Sequence, residues 1–232
     1  MLNKKLEEVG LDLGPYMDQL MAYKDLVLEW NKKFNLTAIK EEEEFHVKHL
    51  YDCLLLLKLD EVKEAKTIVD VGTGAGFPGM VLAITEPDKK ITLVDSVNKK
   101  VRFLDIVVEE LGLKNVRTIH ARSEELARDK AYRDSFDLCA SRAVASLDTL
   151  CEYCLPLVKP GGYFVAMKGS KASEELDHAG EAIKLLSARL KNKIDYTLTE
   201  DDHERSLIVL EKINPTGKKY PRPGGAPRSK PL

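Results

Sequence analysis

From Lys66 onward the chain alternates short β-branched runs with amphipathic stretches, and nothing else in it limits the fold so strongly. TIVDV, KITLVD, NVRTIH, FDLCAS and GYFVAMK read as strands. FPGMVLAIT, NKKVRFLDIVVEELG, SEELARD and SLDTLCEYCLPLV read as the helices between them. Strands linked through helices run parallel, because each crossover returns the chain to the same end of the sheet, and the helices then cover both faces. The last two runs, IDYTLT and SLIVLEKI, are joined by the polar DDHER alone, which reads as an antiparallel hairpin. The expectation is a Rossmann-like α/β fold with seven strands, mostly parallel, the last one reversed.

Two flanking regions differ from this body, so the chain divides into residues 1–60, 61–214 and 215–232. The first reads as a helical extension. Pro15 suits a first helical turn, and Tyr16, Leu20, Tyr23, Val27 and Trp30 recur at spacings of three and four. A second helix spans LTAIKEEEEFHVKHLYDCLLLLKL, with Glu41 to Glu44 favouring its N-terminal end. His46, His49 and Asp52 fall on or near one face of it, open either to a metal or to ordinary hydrogen bonding. At the other end, PTGKKYPRPGGAPRSKPL holds five of the ten prolines, five Lys or Arg and no acid. Such a tail is expected to have little fixed structure when free. It is either a solvated terminus or a basic arm, with Lys218, Lys219, Arg222 and Arg228 for a phosphate backbone and Tyr220 for stacking on a base.

Composition narrows the class. With 44% hydrophobic and 32% charged residues the chain can build an ordinary core. The net charge of −2 gives nucleic acid no general attraction, so any such contact depends on local basic surface: Lys32, Lys33, Lys99, Lys100, Arg102 and the tail. MLNKKLEEVG lacks a signal peptide's apolar core, and no run reaches the roughly 18 apolar residues of a membrane span, so a cytoplasmic protein without a membrane partner is expected. Cys151 and Cys154 form a C-x-x-C without a second ligand pair or a thioredoxin-like context. They are read as a buried structural pair sharing one helix face, while Cys53 and Cys139 are scattered, Cys139 lying in a strand without an activating neighbour.

The stretch VDVGTGAGFPGM, residues 69–80, carries two overlapping fingerprints. Gly74 to Gly79 match G-x-G-x-x-G, the dinucleotide pattern, which would make an NAD-dependent oxidoreductase. Asp70 to Gly76 match an acid followed by three alternating glycines. A pyrophosphate wants backbone N–H groups and is poorly served by a carboxylate before the loop. S-adenosylmethionine carries a sulfonium and an ammonium, for which Asp70 is an asset. Asp95, closing KITLVD, is placed either to accept from a ribose diol or to cap the helix beginning near Asn98.

WNKKFNLTAI, HLYDC, VDVGTGAGFPG, LVDSVNKKVRFL, ASRAVASL and MKG together resemble the characteristic segments of the glucose-inhibited division protein B family. These are class I S-adenosylmethionine-dependent methyltransferases, and the resemblance covers nearly the whole chain. It implies methyl transfer to N7 of a guanine in the decoding-centre loop of 16S rRNA, with 16S rRNA or the small ribosomal subunit as partner. It implies that Gly72, Gly74, Gly76 and Phe77 line the methionine and ribose side of the cofactor and that Asp95 holds the ribose. Ser123 and Glu124 would approach the adenine, or serve as a helix cap and first-turn acid. Arg142 would belong to the cofactor and active-site region, or form a surface ion pair. Lys168 is a weaker substrate candidate, equally readable as a snorkelling surface lysine. No metal is expected, and the protein is expected to be a monomer.

SRAV after the fourth strand is neither the Asn/Asp-Pro-Pro-aromatic signature of amine methylation nor the nucleophilic cysteine of C5 methylation. Guanine N7 bears no proton at neutral pH, so no general base is expected. The non-enzymatic alternative is a ribosome-assembly or RNA-binding module retaining the fold. The intact Asp70, glycines and Asp95 argue against it.

Overall fold

The computed structural model describes residues 2–199 and 204–232. Five helices precede the sheet: α1 (Leu2–Glu8), α2 (Met17–Phe34), α3 (Glu42–Phe45), α4 (Asp52–Leu54) and α5 (Asp60–Glu64). The body then runs β1 (Thr67–Val71), α6 (Gly79–Thr85), β2 (Lys90–Asp95), α7 (Asn98–Glu110), β3 (Val116–His120), α8 (Ser123–Leu126), β4 (Phe136–Arg142), α9 (Leu147–Cys154) and β5 (Val158–Lys168). After it come α10 (Ala172–His178), α11 (Gly180–Leu185), β6 (Ala188–Tyr196), β7 (Arg205–Lys212) and, in the tail, α12 (Ala226–Ser229).

The seven strands lie in the order β3-β2-β1-β4-β5-β7-β6. β1 to β5 are mutually parallel where they pair, and β7 inserts antiparallel between β5 and β6. The reversed last strand is as the hairpin reading expects. Of the link DDHER, Asp201, Asp202 and His203 lie outside the described residues. β6 begins at Ala188, six residues before IDYTLT. Its ARLKNKI is mostly exposed and pairs only with β7, so it shows little of the apolar alternation that betrays a strand. Helices α10 and α11 also escape the sequence reading.

One layer of the core holds α6 and α7 together with the N-terminal helices: Leu20, Tyr23, Val27, Phe45 and Leu50 pack with Leu82, Phe103 and Leu104. Residues 1–60 are thus a further helical layer on one sheet face, not a separate body. The opposite face carries Leu126, Leu150, Cys154 and Ile183, and there Tyr220 of the tail joins the core. Pro15 opens a 3-10 turn that leads into α2, as expected. The next helical run starts at Glu42 rather than Leu36. Asn35 ends α2 in the left-handed region (φ 35), and the Thr37 hydroxyl accepts from the Ile39 N–H, which turns the chain before Glu41. Within that run His46–Tyr51 is a π-helical segment. Among the described residues no helix is long and apolar enough to cross a membrane.

Candidate active site

The sheet order changes direction between β1 and β4, and the loops after β1, β2, β3 and β4 meet at that switch point. The loop after β1 holds Gly72, Gly74 and Gly76 at φ +71°, +62° and +112°, a region costly for other residues. A Cβ on Gly72 would stand 2.4 Å from Val144, and one on Gly79 would stand 2.3 Å from Leu93 and 2.7 Å from Asp70. The glycines therefore serve close packing as well as conformation.

Asp70 is fully buried at the end of β1. Its Oδ2 accepts from Thr73 Oγ1 (2.6 Å) and from the Gly79 N–H (2.7 Å), while Oδ1 has no partner. Burial raises the carboxyl to about 6, against those two hydrogen bonds. Asp95 Oδ2 accepts from the Gly74 N–H (2.9 Å) and Oδ1 from the Val97 N–H (2.8 Å). Asp95 thus ties the glycine loop to the start of α7, a bond to Gly74 that the sequence did not suggest. Tyr23 of α2 donates to the Ala75 carbonyl (2.8 Å) and supports the loop from below, with its ring 5.5 Å from that of Phe77.

A cavity of about 350 Å³ opens beside the loop, lined by Gly72, Asp95, Ser123, Glu124, Val144 and Tyr153 among others. It brings together the residues expected at ribose and adenine. Ser123 is not a helix cap; its hydroxyl donates to the Tyr153 carbonyl (2.6 Å) and joins α8 to α9. Glu124 is buried beside Arg122. Gly72, Gly74, Asp70 and Asp95 could hold a cofactor whose methionine end is cationic and whose adenosine is neutral. The buried Asp70 oxygen without a donor suits an ammonium or sulfonium and opposes a pyrophosphate.

Arg142 is not in a surface ion pair. Its side chain is 12% exposed and reaches into the N-terminal layer, where Nη1 donates to Asp52 Oδ2 and to the Lys48 carbonyl (3.0 Å each). The π-helical turn makes this possible: the Asp52 N–H bonds Val47 and His49 and leaves the Lys48 carbonyl to Arg142. Nη2 donates to His49 Nδ1 (2.9 Å), so Nε2 carries the proton and donates to Thr37 Oγ1 (2.6 Å). Burial and Arg142 lower the imidazole to about 3, and its ring stacks on Phe77 at 4.3 Å. Tyr196 donates to Asp52 Oδ1 (2.7 Å). Asp52 and His49 are thus residues of the site that sequence placed on one helix face without finding their partner. Among the described residues no group of three or more potential metal ligands occurs.

A second cavity, of about 340 Å³, lies on this side, lined by Asp52, Arg142, Lys168, Glu175, Tyr196 and Arg205 among others. Lys168 does not snorkel at the surface: its Nζ donates to the Ala145 carbonyl (2.8 Å) and pairs with Glu175 (2.6 Å), bracing the loop after β4.

The tail departs most from expectation. Tyr220 is 6% exposed and buried in the core, so it presents no face to a base. Arg222 is spent on Glu152, to which Nη2 donates at 2.6 Å. Lys218, Lys219 and Arg228 are exposed, and Arg228 lines the first cavity. All four cysteines are free and buried, and burial pushes the Cys53 thiol up to about 12, far from reactive.

The family described as rRNA small subunit methyltransferase G matches residues 16–205. Ribosomal RNA small subunit methyltransferase G of Clostridium perfringens is 46% identical, covering all of this chain and 98% of the relative. The protein of the same name from Alkaliphilus metalliredigens is 47% identical over 97% of this chain and 95% of its own length. Among solved structures, a SAM dependent methyltransferase from Aquifex aeolicus superposes with a TM-score of 0.53 over 73% of this chain and 93% of that one, at 19% identity. M. jannaschii TYW2 in complex with AdoMet gives 0.54 over 70% and 77%, at 15% identity. These distant likenesses speak for the fold, whereas the long, close matches decide the family: the chain belongs to the rRNA small subunit methyltransferase G family.

Proposed function

We propose that this enzyme methylates N7 of a guanine in 16S rRNA with S-adenosylmethionine as methyl donor, acting as a cytoplasmic monomer. The observation that carries it is the junction of the acid-bearing glycine loop with a cavity holding Asp95, Ser123 and Glu124 at the sheet's switch point. When bound, S-adenosylmethionine supplies an electrophilic methyl group. Asp70 and the backbone of Gly72 and Gly74 hold its methionine end, Asp95 its ribose, and Ser123 and Glu124 its adenine. Arg142 lines the second cavity, whereas Phe77, expected on the cofactor side, is buried among Tyr23, Phe45 and His49, with the guanidinium 4.9 Å from its ring centroid.

Guanine N7 presents an unprotonated lone pair, so the protein has to orient the base rather than remove a proton. Alignment of this kind can contribute about 7–11 kcal/mol. His49 is unsuited to act as a base, since both ring nitrogens are already engaged by Thr37 and Arg142. Its part, with Asp52, is to hold Arg142 still. The exposed Lys218 and Lys219 serve as auxiliary phosphate contacts, whereas Lys168 and Arg222 are committed inside the protein.

The test is incubation with labelled methyl donor and small subunits from a strain lacking the gene, followed by mapping of the modified base. Label on N7 of one guanine is expected. Label on another atom, or cofactor binding with no label, would overturn the reading in favour of a different target or of a non-catalytic binding module. Preferential binding of NAD in calorimetry would instead restore the oxidoreductase.

A further inference from the structure

The cavity assigned to adenosine has a wall that neither the glycine loop nor the strand ends supply. Gly225, Arg228 and Ser229, from α12 and the residue before it, line it together with Asp95, Ser123, Glu124 and Tyr153. A basic segment rich in proline and glycine would not hold such a place unaided, and the attachment is visible. The Arg222 backbone N–H donates to Glu152 Oε1 (2.5 Å), Nε donates to both carboxylate oxygens (3.0 Å each) and Nη2 to Oε2 (2.6 Å). Glu152, on α9, is 1% exposed, so Arg222 is the partner that makes its burial tolerable.

Body residues then take up the tail's carbonyls. Arg128 donates to Pro221 (2.6 Å), Arg133 to Tyr220 (2.9 Å) and Thr149 to Pro227 (3.3 Å). Tyr220 and Pro227 are buried. Glu124, Tyr153 and Arg228 all line the cavity; burial raises the Tyr153 phenol, Glu124 adds to this and Arg228 opposes it. A guanidinium there is planar and rich in donors, suited to adenine's ring nitrogens and to stacking on its face.

We propose that residues 225–229 form a fixed wall over the adenosine half of the cofactor, with Arg228 a binding residue and the Glu152–Arg222 clamp its positioning device. This rests on the assignment of the cavity to adenosine. It makes residues 225–229 of the tail a part of the cofactor site rather than of a free arm for RNA.

Calorimetry on full-length Arg228→Ala, Arg222→Met and Asp95→Ala would test it, with S-adenosylmethionine and with 5′-methylthioadenosine, which keeps the adenosine and lacks the amino acid. Arg228→Ala is expected to weaken both ligands about fivefold and Arg222→Met about tenfold or more, tenfold being roughly 1.4 kcal/mol. Binding of a 16S rRNA fragment at fixed salt should stay within about twofold for Arg228→Ala. Unchanged affinity for both ligands in Arg228→Ala overturns the proposal, and weaker RNA binding with unchanged ligand affinity makes the tail an RNA arm instead. Loss confined to S-adenosylmethionine also overturns it, since the wall would then touch the methionine end. Should Arg222→Met fail to fold, Arg228→Ala decides, because that side chain is exposed. Asp95→Ala separates the two levels: intact 5′-methylthioadenosine binding there sinks the cavity assignment, whereas its loss beside unaffected tail variants sinks the wall alone.

Discussion

The N-terminal helices and the C-terminal tail are both additions to one sheet, attached to opposite faces by opposite means. The N-terminal layer joins through a broad apolar surface and then sends a buried carboxylate, Asp52, to Arg142 of β4. The tail buries Thr216, Tyr220, Pro221 and Pro227 and is held by arginines that bond its carbonyls and by one clamp on α9. Each reaches one of the two cavities, so the two additions bracket the site. The difference teaches where stability and binding should separate: changes at the N-terminal contact should unfold the protein, and changes at exposed tail residues such as Arg228, away from the Glu152–Arg222 clamp, should mainly loosen a ligand.

The largest expected effect tests the first half of that statement. Asp52→Ala leaves the Arg142 guanidinium buried without its counter-charge and should cost about 3–5 kcal/mol, read by urea unfolding. A loss below about 1 kcal/mol would show that the buried pair does not anchor the layer.

Next in size is a pair of opposed pH effects at the glycine loop and at the layer beneath it. Asp70, raised to about 6, takes up protons more readily folded than unfolded, so its contribution is full below about 4 and lost as pH rises through 6. His49, lowered to about 3, contributes above its unfolded value near 6.5 and loses that as pH falls towards 3. Between pH 4 and 6 the two oppose each other. Asp70→Asn should therefore stabilise the protein at pH 8 by on the order of 1–3 kcal/mol while weakening S-adenosylmethionine, and should steepen the loss on acidification. His49→Gln should do the reverse below pH 6.5. Parallel pH–stability curves for wild type and both variants would rule this coupling out.

Tyr23→Phe removes the donor to the Ala75 carbonyl and should cost about 1–2 kcal/mol in unfolding experiments, with weaker cofactor binding as the loop relaxes. Smallest of all, Lys218→Ala with Lys219→Ala should leave stability within about 0.5 kcal/mol and reduce the salt dependence of rRNA binding by at most two phosphate contacts. A larger stability change there would mean that the comparison between the two attachments is wrong.

The parallel body was legible because β-branched runs and glycine turns are local signals. TIVDV and KITLVD read as strands wherever they occur, and the buried pattern of β1 and β2 matches them almost residue for residue. The edge strand β6 was harder, since its side chains face water and carry no apolar alternation. Asp70 was legible as the informative residue of its loop. Its hydrogen bonds to Thr73 and Gly79 were not, because they depend on how the loop closes.

The tail shows the limit most clearly. Proline, glycine and unopposed positive charge describe a segment unable to build a core of its own, and by itself it has none. What orders it lies elsewhere: Glu152 is 70 residues from Arg222 in sequence and buried on a helix that reads simply as amphipathic. His49 and Asp52 likewise wait for Arg142, more than 90 residues away by the first of them. The sequence by itself determined the alternation of strands and helices from β1 to β5, the acid-bearing glycine loop and the family resemblance, because those are written in short contiguous motifs. Only the tertiary structure decided which charges neutralise one another and which cavity each flank completes. Burying a charge is tolerable only beside a partner, and that partner is chosen by the fold rather than by its neighbours in the chain.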